Sequence, residues 1–312
     1  MSVMTPSLPL VCILLCLSSV SLARPSSWTE RFAAEWTRRD SSSSSRNVPP
    51  EGFYQPTSFL TNVPGTFPAG LGEPLNVIIS GNSDAAVLVN QLNDGGLQNY
   101  FQSVGFSGTC LGQIDGLQES VDLGDGNGTV NQTDVMRWNY GDPTLGTCKE
   151  TVEGGNHFRY WIQDGPTGNS GAIFLAESYE LPVAQDHDII DNGYNLGRDW
   201  LVGNATSNTF INTTSLTANA TFSGQTSAQG FTYQTSVIYL SGLLPNTSDG
   251  INHFITVGDG QNAVDGLVAV LTVKISQRPQ NTASSFALPL FTTPSAALTT
   301  TSLLMLGLLF SL

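Results

Sequence analysis

The chain has 312 residues, 40% apolar and 9% aromatic, which is enough to build a sizeable core and excludes disorder along its whole length. Only 12% of the residues are charged, against about 25% in an average soluble domain, and the 32 glycines point to a turn-rich, β-rich protein. With a formal net charge of -14 there is no basic footprint for phosphates, so nucleic acid is excluded as a partner.

Residues 1–23 hold an apolar run from Leu8 to Leu17 and end Ser21-Leu22-Ala23, the pattern of a cleaved secretory signal peptide. Residues 24–50 contain Arg24, Arg31, Arg38, Arg39 and Arg46, a Trp28/Phe32/Trp36 patch and the serine run Ser41 to Ser45. This stretch reads as a basic, Ser-rich linker, or as a propeptide cut at Arg38-Arg39. The acidic excess therefore belongs to the body, residues 51–276, which reads as a single domain with a solvated acidic surface.

Within that body, Pro74 to Gly81 is an apolar, β-branched run that predicts a buried strand. Asn82 or Ser83 could cap a helix carrying Ala85, Leu88, Val89 and Leu92 at helical spacing, ended by Asp94-Gly95-Gly96, with a further turn or two over Leu97 to Val104. Strands are expected at Val135–Tyr140, His157–Gln163 and Gly171–Tyr179, the last two forming a hairpin across the turn-rich residues 164–169. Tyr194–Val202 predicts a short helix, the Thr/Ser-rich stretches after Asn204 are strand-like, and Leu267–Ile275 predicts a final strand. The class is α+β, with a mixed, mainly antiparallel sheet and a few short helices.

Cys12 and Cys16 leave with the signal peptide, so Cys110 and Cys148 remain and pair most simply as a disulfide in an oxidising compartment. Glycosylation sequons stand at Asn127, Asn131, Asn204, Asn212, Asn219 and Asn246. The segment Gly124 to Asp134 resembles the latter part of a calcium loop, with Asp125, Asn127, Asn131 and Asp134 as oxygen ligands, although Leu123 occupies the first position and Asp122 is one residue out of register.

Strand alternation puts His157, Arg159 and Trp161 on one face and Phe158 and Tyr160 on the other. His187 sits between Asp186 and Asp188, which would raise its pKa, and Arg198-Asp199 follows. Were the fold to bring His157, His187 and Asp199 together, they could hold a metal or run acid-base chemistry, with Arg159 and Arg198 binding an anionic substrate; a structural salt-bridge cluster is the alternative. There is no G-x-S-x-G elbow, Walker loop or H-E-x-x-H motif, and no particular cofactor is indicated.

In order, the strand Asn76-Val77-Ile78-Ile79, the strand His157-Phe158-Arg159-Tyr160-Trp161, the Asp186-His187-Asp188 turn, Arg198-Asp199 and Asp265-Gly266 resemble the LssY C-terminal domain over residues 70 to 275. In that family an H-[aliphatic]-R-x-W strand, a later His and an R-D pair recur. The resemblance implies no settled activity; in bacteria the domain accompanies membrane-associated modules. This chain differs in having Asn156 where a second His is frequent and in its sequon-rich insert after Asn204. Its overall architecture also resembles secreted proteins of filamentous fungi.

Residues 277–312 place small residues at Asn281 and Ala283, then a spacer, then the apolar run from Ser302 to Leu312, with no charged residue after Arg278. This is the grammar of a glycosylphosphatidylinositol attachment signal whose tail is removed, with Asn281 or Ala283 as attachment residue. The sequence thus predicts a secreted, N-glycosylated, lipid-anchored protein of the cell surface or wall, with a structural or glycan-interaction role. Its expected partners are the outer membrane leaflet, through the anchor, and cell-wall glycan. The second reading is a surface hydrolase or metal-dependent enzyme built on His157, His187 and Asp199.

Overall fold

A computed structural model describes residues 46–113, 118–254 and 260–280. The expected signal peptide, Arg38-Arg39 with most of the linker, and the attachment residues Asn281 and Ala283 lie outside the described residues.

One eight-stranded sheet organises the chain. Its strands are β1 (Leu75–Ile79), β2 (Phe106–Gly108), β5 (Asp134–Trp138), β6 (Gly155–Ile162), β7 (Ile173–Glu180), β8 (Thr221–Ala228), β9 (Phe231–Thr247) and β10 (Val264–Gln277), while β3 (Ser120–Asp122) and β4 (Thr129–Asn131) form a separate hairpin. The order across the large sheet is β2-β5-β6-β7-β1-β10-β9-β8. Every pairing is antiparallel except that of β1 with β10, so the sheet is mixed and mainly antiparallel as expected. The β6–β7 hairpin forms as its turn chemistry predicts, and β8 turns into β9 through Gln229 and Gly230, both with positive φ, the two-residue geometry that suits strand twist.

Both faces of the sheet are covered. One face carries Val77, Phe158, Tyr160, Ile173 and Leu175 under α1 (Leu97–Ser103) and α3 (Gly193–Ala205). The other carries Leu75, Ile78, Trp161, Phe174 and Ala176 under Phe53, Phe59 and the β3–β4 hairpin. In α3, Tyr194, Gly197, Arg198, Leu201, Val202 and Ala205 form one buried stripe at helical spacing. Gly197 lets the helix touch the sheet: a Cβ there would lie 2.7 Å from Asn156 Oδ1 and 2.8 Å from the Ser178 backbone carbon.

The helix expected over residues 82–92 does not form. Residues 80–84 instead prolong the β1–β10 ladder: Ser80 N donates to Leu271 O, Asp84 N to Val273 O, and the Ser83 and Asp84 side chains accept from Val273 N and Ile275 N. Those groups would otherwise cap a helix, and Ala85, Val89 and Leu92 end up exposed. The helix over Leu97 is present as α1, and a helix the sequence did not announce, α2 (Gly146–Glu153), packs beside β5.

Cys110 and Cys148 form the expected disulfide, tying the end of β2 to α2. The pair closes a loop across 38 positions, for which chain entropy gives about 4 kcal/mol. Denaturant unfolding of Cys110→Ser/Cys148→Ser should show a loss of that order; a loss below about 1 kcal/mol would show that the closure is not what orders α2.

Candidate functional site

The Leu75/Trp161 face of the sheet carries charge near one end. Cross-strand register sets Arg137, His157 and Ser178 side by side, with Arg159 in the next row and Glu180 beyond Ser178 on β7. Glu150 arrives from α2, His187 from the turn after β7, Glu73 from just before β1, and Glu119 from the approach to β3. All are buried or nearly so, with His187 the most open, its side chain 27% exposed.

Arg137 Nη1 donates to Glu150 Oε2 at 2.8 Å and approaches Glu180 Oε2 at 3.3 Å. His187 Nδ1 lies 3.5 Å from the same Glu180 oxygen, and His157 Nε2 lies 3.5 Å from Glu180 Oε1. On its other side His157 Nε2 faces Arg159 Nη1 at 3.3 Å, while Nδ1 faces Ser178 Oγ at 3.3 Å. Arginine can only donate and an ionised carboxylate can only accept, so the two neighbours of Nε2 call for opposite tautomers of the ring. Arg159 Nε continues to Glu119 Oε1 at 3.1 Å, and Thr61 Oγ1 donates to Glu119 Oε2 at 2.7 Å.

Burial decides the protonation of this cluster. It pushes His157 down to about 3, so the ring is neutral at ordinary pH. It pushes Glu119 up to about 8, helped by neighbouring Glu73, and Glu150 up to about 7 against the pull of Arg137. Burial would raise Glu180 too, but the surrounding His157, His187 and Arg137 hold it down at about 2; with His157 neutral, the cations that do this are Arg137 and His187. His187 is raised, and the principal cause is Glu180, not the flanking acids anticipated from sequence. Asp188 instead pairs with His253 at 2.6 Å. Asp186 and His187 both have positive φ, a strained turn that aims the imidazole at Glu180.

Arg198 and Asp199 do not join the histidines. Arg198 lies wholly buried in α3 and engages Asp199 through Nε and Nη2 (2.7 and 3.0 Å), Asp265 through Nη1 and Nη2 (2.7 and 2.9 Å), and Leu267 O through Nη1 (2.7 Å). These contacts use all five of its donors, so none is left for an anionic substrate. Asp199 accepts from Tyr239 Oη at 2.8 Å as well and orients neither histidine. The expected His157/His187/Asp199 grouping is therefore corrected to His157, His187 and Glu180, with Arg159 beside them.

The expected calcium loop is a β-hairpin turn. Asp125 is buried, and its carboxylate accepts from Asn127 N at 3.0 Å and Gly165 N at 2.9 Å, which ties the turn to the residues after β6. Asn131 Nδ2 donates to Gln118 on the paired side, and Asp134 opens β5 with its carboxylate on Val135 N, so the four residues do not converge on one point.

Glu150, His157 and Glu180 present one donor atom each within 4.8 Å of one another, the geometry of a candidate metal site. Arg137 occupies the same space, and a guanidinium on both carboxylates opposes a cation there. Sequence reading missed Arg137, Glu150, Glu180, Glu119 and Glu73. The available signal was charge placed within or at the ends of apolar strands in a chain that has little charge to place. Comparison with protein-family models, with curated proteins and with solved structures finds no match for this chain.

The protonation pattern makes a pH prediction. Above pH 4.5 the unfolded chain releases the Glu119 and Glu150 protons that the folded protein keeps, so each lowers stability progressively up to its own folded pKa. His157 acts in the opposite sense between about 3 and 6.5, and Glu180 between about 2 and 4.5. Burial raises Glu73 and Glu177 in the same direction, so four raised carboxyls outweigh one lowered histidine above pH 4.5, and below it the two lowered groups act together. Thermal unfolding from pH 3 to 8 should therefore show greatest stability near pH 4 to 5, and Glu150→Gln should flatten the fall above pH 5. A maximum at pH 7 or above would contradict these assignments.

Proposed function

We propose that this chain is a secreted, N-glycosylated protein held at the outer leaflet or in the cell wall by a glycosylphosphatidylinositol anchor at Asn281 or Ala283, and that its role there is structural or glycan-binding. The observation that carries the reading is the placement of the sequons. Asn127, Asn131, Asn212, Asn219 and Asn246 are exposed, and Asn204 is half-buried. The five exposed ones lie in hairpins, turns and strand ends that would carry sugar without disturbing either core, while Asn204 lies in the last turn of α3. The Cys110–Cys148 disulfide suits the same oxidising route. Among the described residues no helix is long and apolar enough to cross a membrane.

The proposal retains the LssY-like reading of residues 70 to 275. Its support is that the separated motifs draw together in two clusters, His157, Arg159 and His187 around Glu180, and Arg198-Asp199 on Asp265. In both clusters the polar side chains are engaged with one another, which favours a structural part for them over catalysis.

Expressed in a eukaryotic host, the full chain should reach the cell surface, lose mass on treatment with an N-glycosidase, and be released by a phosphatidylinositol-specific phospholipase. Retention inside the cell without sugar would overturn the proposal. The metal-dependent reading rests on the convergence of Glu150, His157 and Glu180, and elemental analysis of the secreted protein tests it separately. We expect no stoichiometric transition metal; one that is lost on His157→Ala and Glu150→Gln would favour the enzyme.

A further inference from the structure

A groove of about 590 Å3 lies on the molecule away from the histidine cluster, enclosed by the α1–β2 turn, the β5–α2 turn, the end of α3 with the residues after it, and β8. Its lining includes Trp138, Tyr140, Asn204, Asn208 and Gln225. In a chain of formal net charge -14, none of the described residues lining it is charged. The one described cation set against a lining ring is Lys149, whose ammonium lies 4.4 Å from the Tyr140 centroid, and no lining side chain supplies a counter-charge of its own.

Three features suggest that the groove is built for a ligand. The first is a fixed aromatic floor: Trp138 packs on Trp200 with ring centroids 4.4 Å apart and on Phe106 at 5.9 Å. Its ring also lies over Gly105, where a Cβ would come within 2.0 Å of Trp138 Cζ3. Gly105 has φ +92 and no side chain, and that is what admits the indole. The second feature is strain. Tyr140, Ser207 and Asn208, all in the lining, have φ of 48°, 65° and 60°, a left-handed conformation that costs non-glycine residues energy and gathers at ligand sites. Ser207 Oγ clamps this turn to β8 by donating to Gln225 O at 3.0 Å and accepting from Gln225 N at 2.8 Å.

The third feature is free hydrogen-bonding capacity. The side-chain amides of Asn208 and Gln225 hold no hydrogen bond to other described residues, and both residues are exposed. A side-chain amide offers donors and an acceptor together, which matches adjacent hydroxyls, and an aromatic ring suits the C–H face of a pyranose.

We propose that this groove binds an uncharged oligosaccharide, with Trp138 as its apolar surface and the Asn208 and Gln225 amides engaging hydroxyl groups. The inference deepens the glycan-binding reading above and rests on it for access to the ligand. Two sources share this chemistry. One is an extracellular polysaccharide; the other is the chain's own sugar on Asn204, whose sequon lies in the lining, so that a glycan there starts within the groove.

The test uses the full secreted protein, titrated with neutral hexasaccharides of β-1,3-glucan, chitin and mannan while tryptophan fluorescence is followed. It compares wild type, Asn204→Gln and the double variant Asn208→Gly/Gln225→Ala in both backgrounds. Glycine accepts the φ of 60° at position 208, so the double variant removes amides without adding strain. Wild-type binding weakened about tenfold or more by the double variant, the effect of losing two hydrogen bonds, supports the groove and a polysaccharide ligand. Binding seen only with Asn204→Gln, or with wild type after enzymatic deglycosylation, supports a groove filled by the protein's own glycan. No binding in any form, or binding that the double variant leaves unchanged, overturns the proposal. Surface delivery and phospholipase release are independent of these outcomes, so the two proposals can fail separately.

Discussion

The guanidinium of Arg198 decides where α3 lies, and much else follows from that position. Its five donors are shared between Asp199 on the same helix, Asp265 at the start of β10 and the carbonyl of Leu267. Removing either carboxylate would leave two of the guanidinium's buried donors without an acceptor, which is costly in the core, so helix and strand are held in one register. Gly197 then seats the helix against Asn156 and Ser178, and Ser178 in turn faces His157 from the opposite side of its strand. At the far end the same helix delivers Asn204, Ser207 and Asn208 to the edge of β8.

The second buried network follows a different logic. Around Arg137 and Arg159 the carboxyls outnumber the permanent cations, and burial resolves the excess by keeping protons on Glu119 and Glu150 while Glu180 stays ionised between Arg137 and His187. His157, the residue with the most catalytic promise in isolation, is neutral, 1% exposed and held between Arg159 and Ser178. A general base needs access to its substrate, and here the position is taken by structure.

The surface divides in a corresponding way. The groove beside α1 and β8 is lined by indole, phenol, amide and hydroxyl groups, with the Lys149 ammonium over the Tyr140 ring. Apart from Asn204, which lines the groove, the sequon asparagines are spread over hairpins, turns and strand ends elsewhere. A protein displayed on a polysaccharide-rich exterior would gain from such a neutral recess, because sugars offer hydroxyls and C–H faces but no charge for ion pairing.

Much of the fold was legible in the residue pattern. The alternation that puts His157, Arg159 and Trp161 on one face, the turn-rich residues between β6 and β7, the apolar stripe of α3 and the pairing of Cys110 with Cys148 are all local, periodic or compositional signals. The segment after β1 was not legible, because its capping groups serve the β10 backbone nearly 190 positions away, a competition that local spacing does not record. Nor were the partners of the site residues. Asp199 is adjacent in sequence to Arg198 and belongs to it, whereas Glu180 and Glu150 reach His157 only through cross-strand register and the docking of α2. The sequence by itself determined which faces are apolar and which residues carry charge. Only the tertiary structure decided which charges meet, because ion pairs are selected by three-dimensional proximity at the end of folding, when burial removes the water that would otherwise screen them.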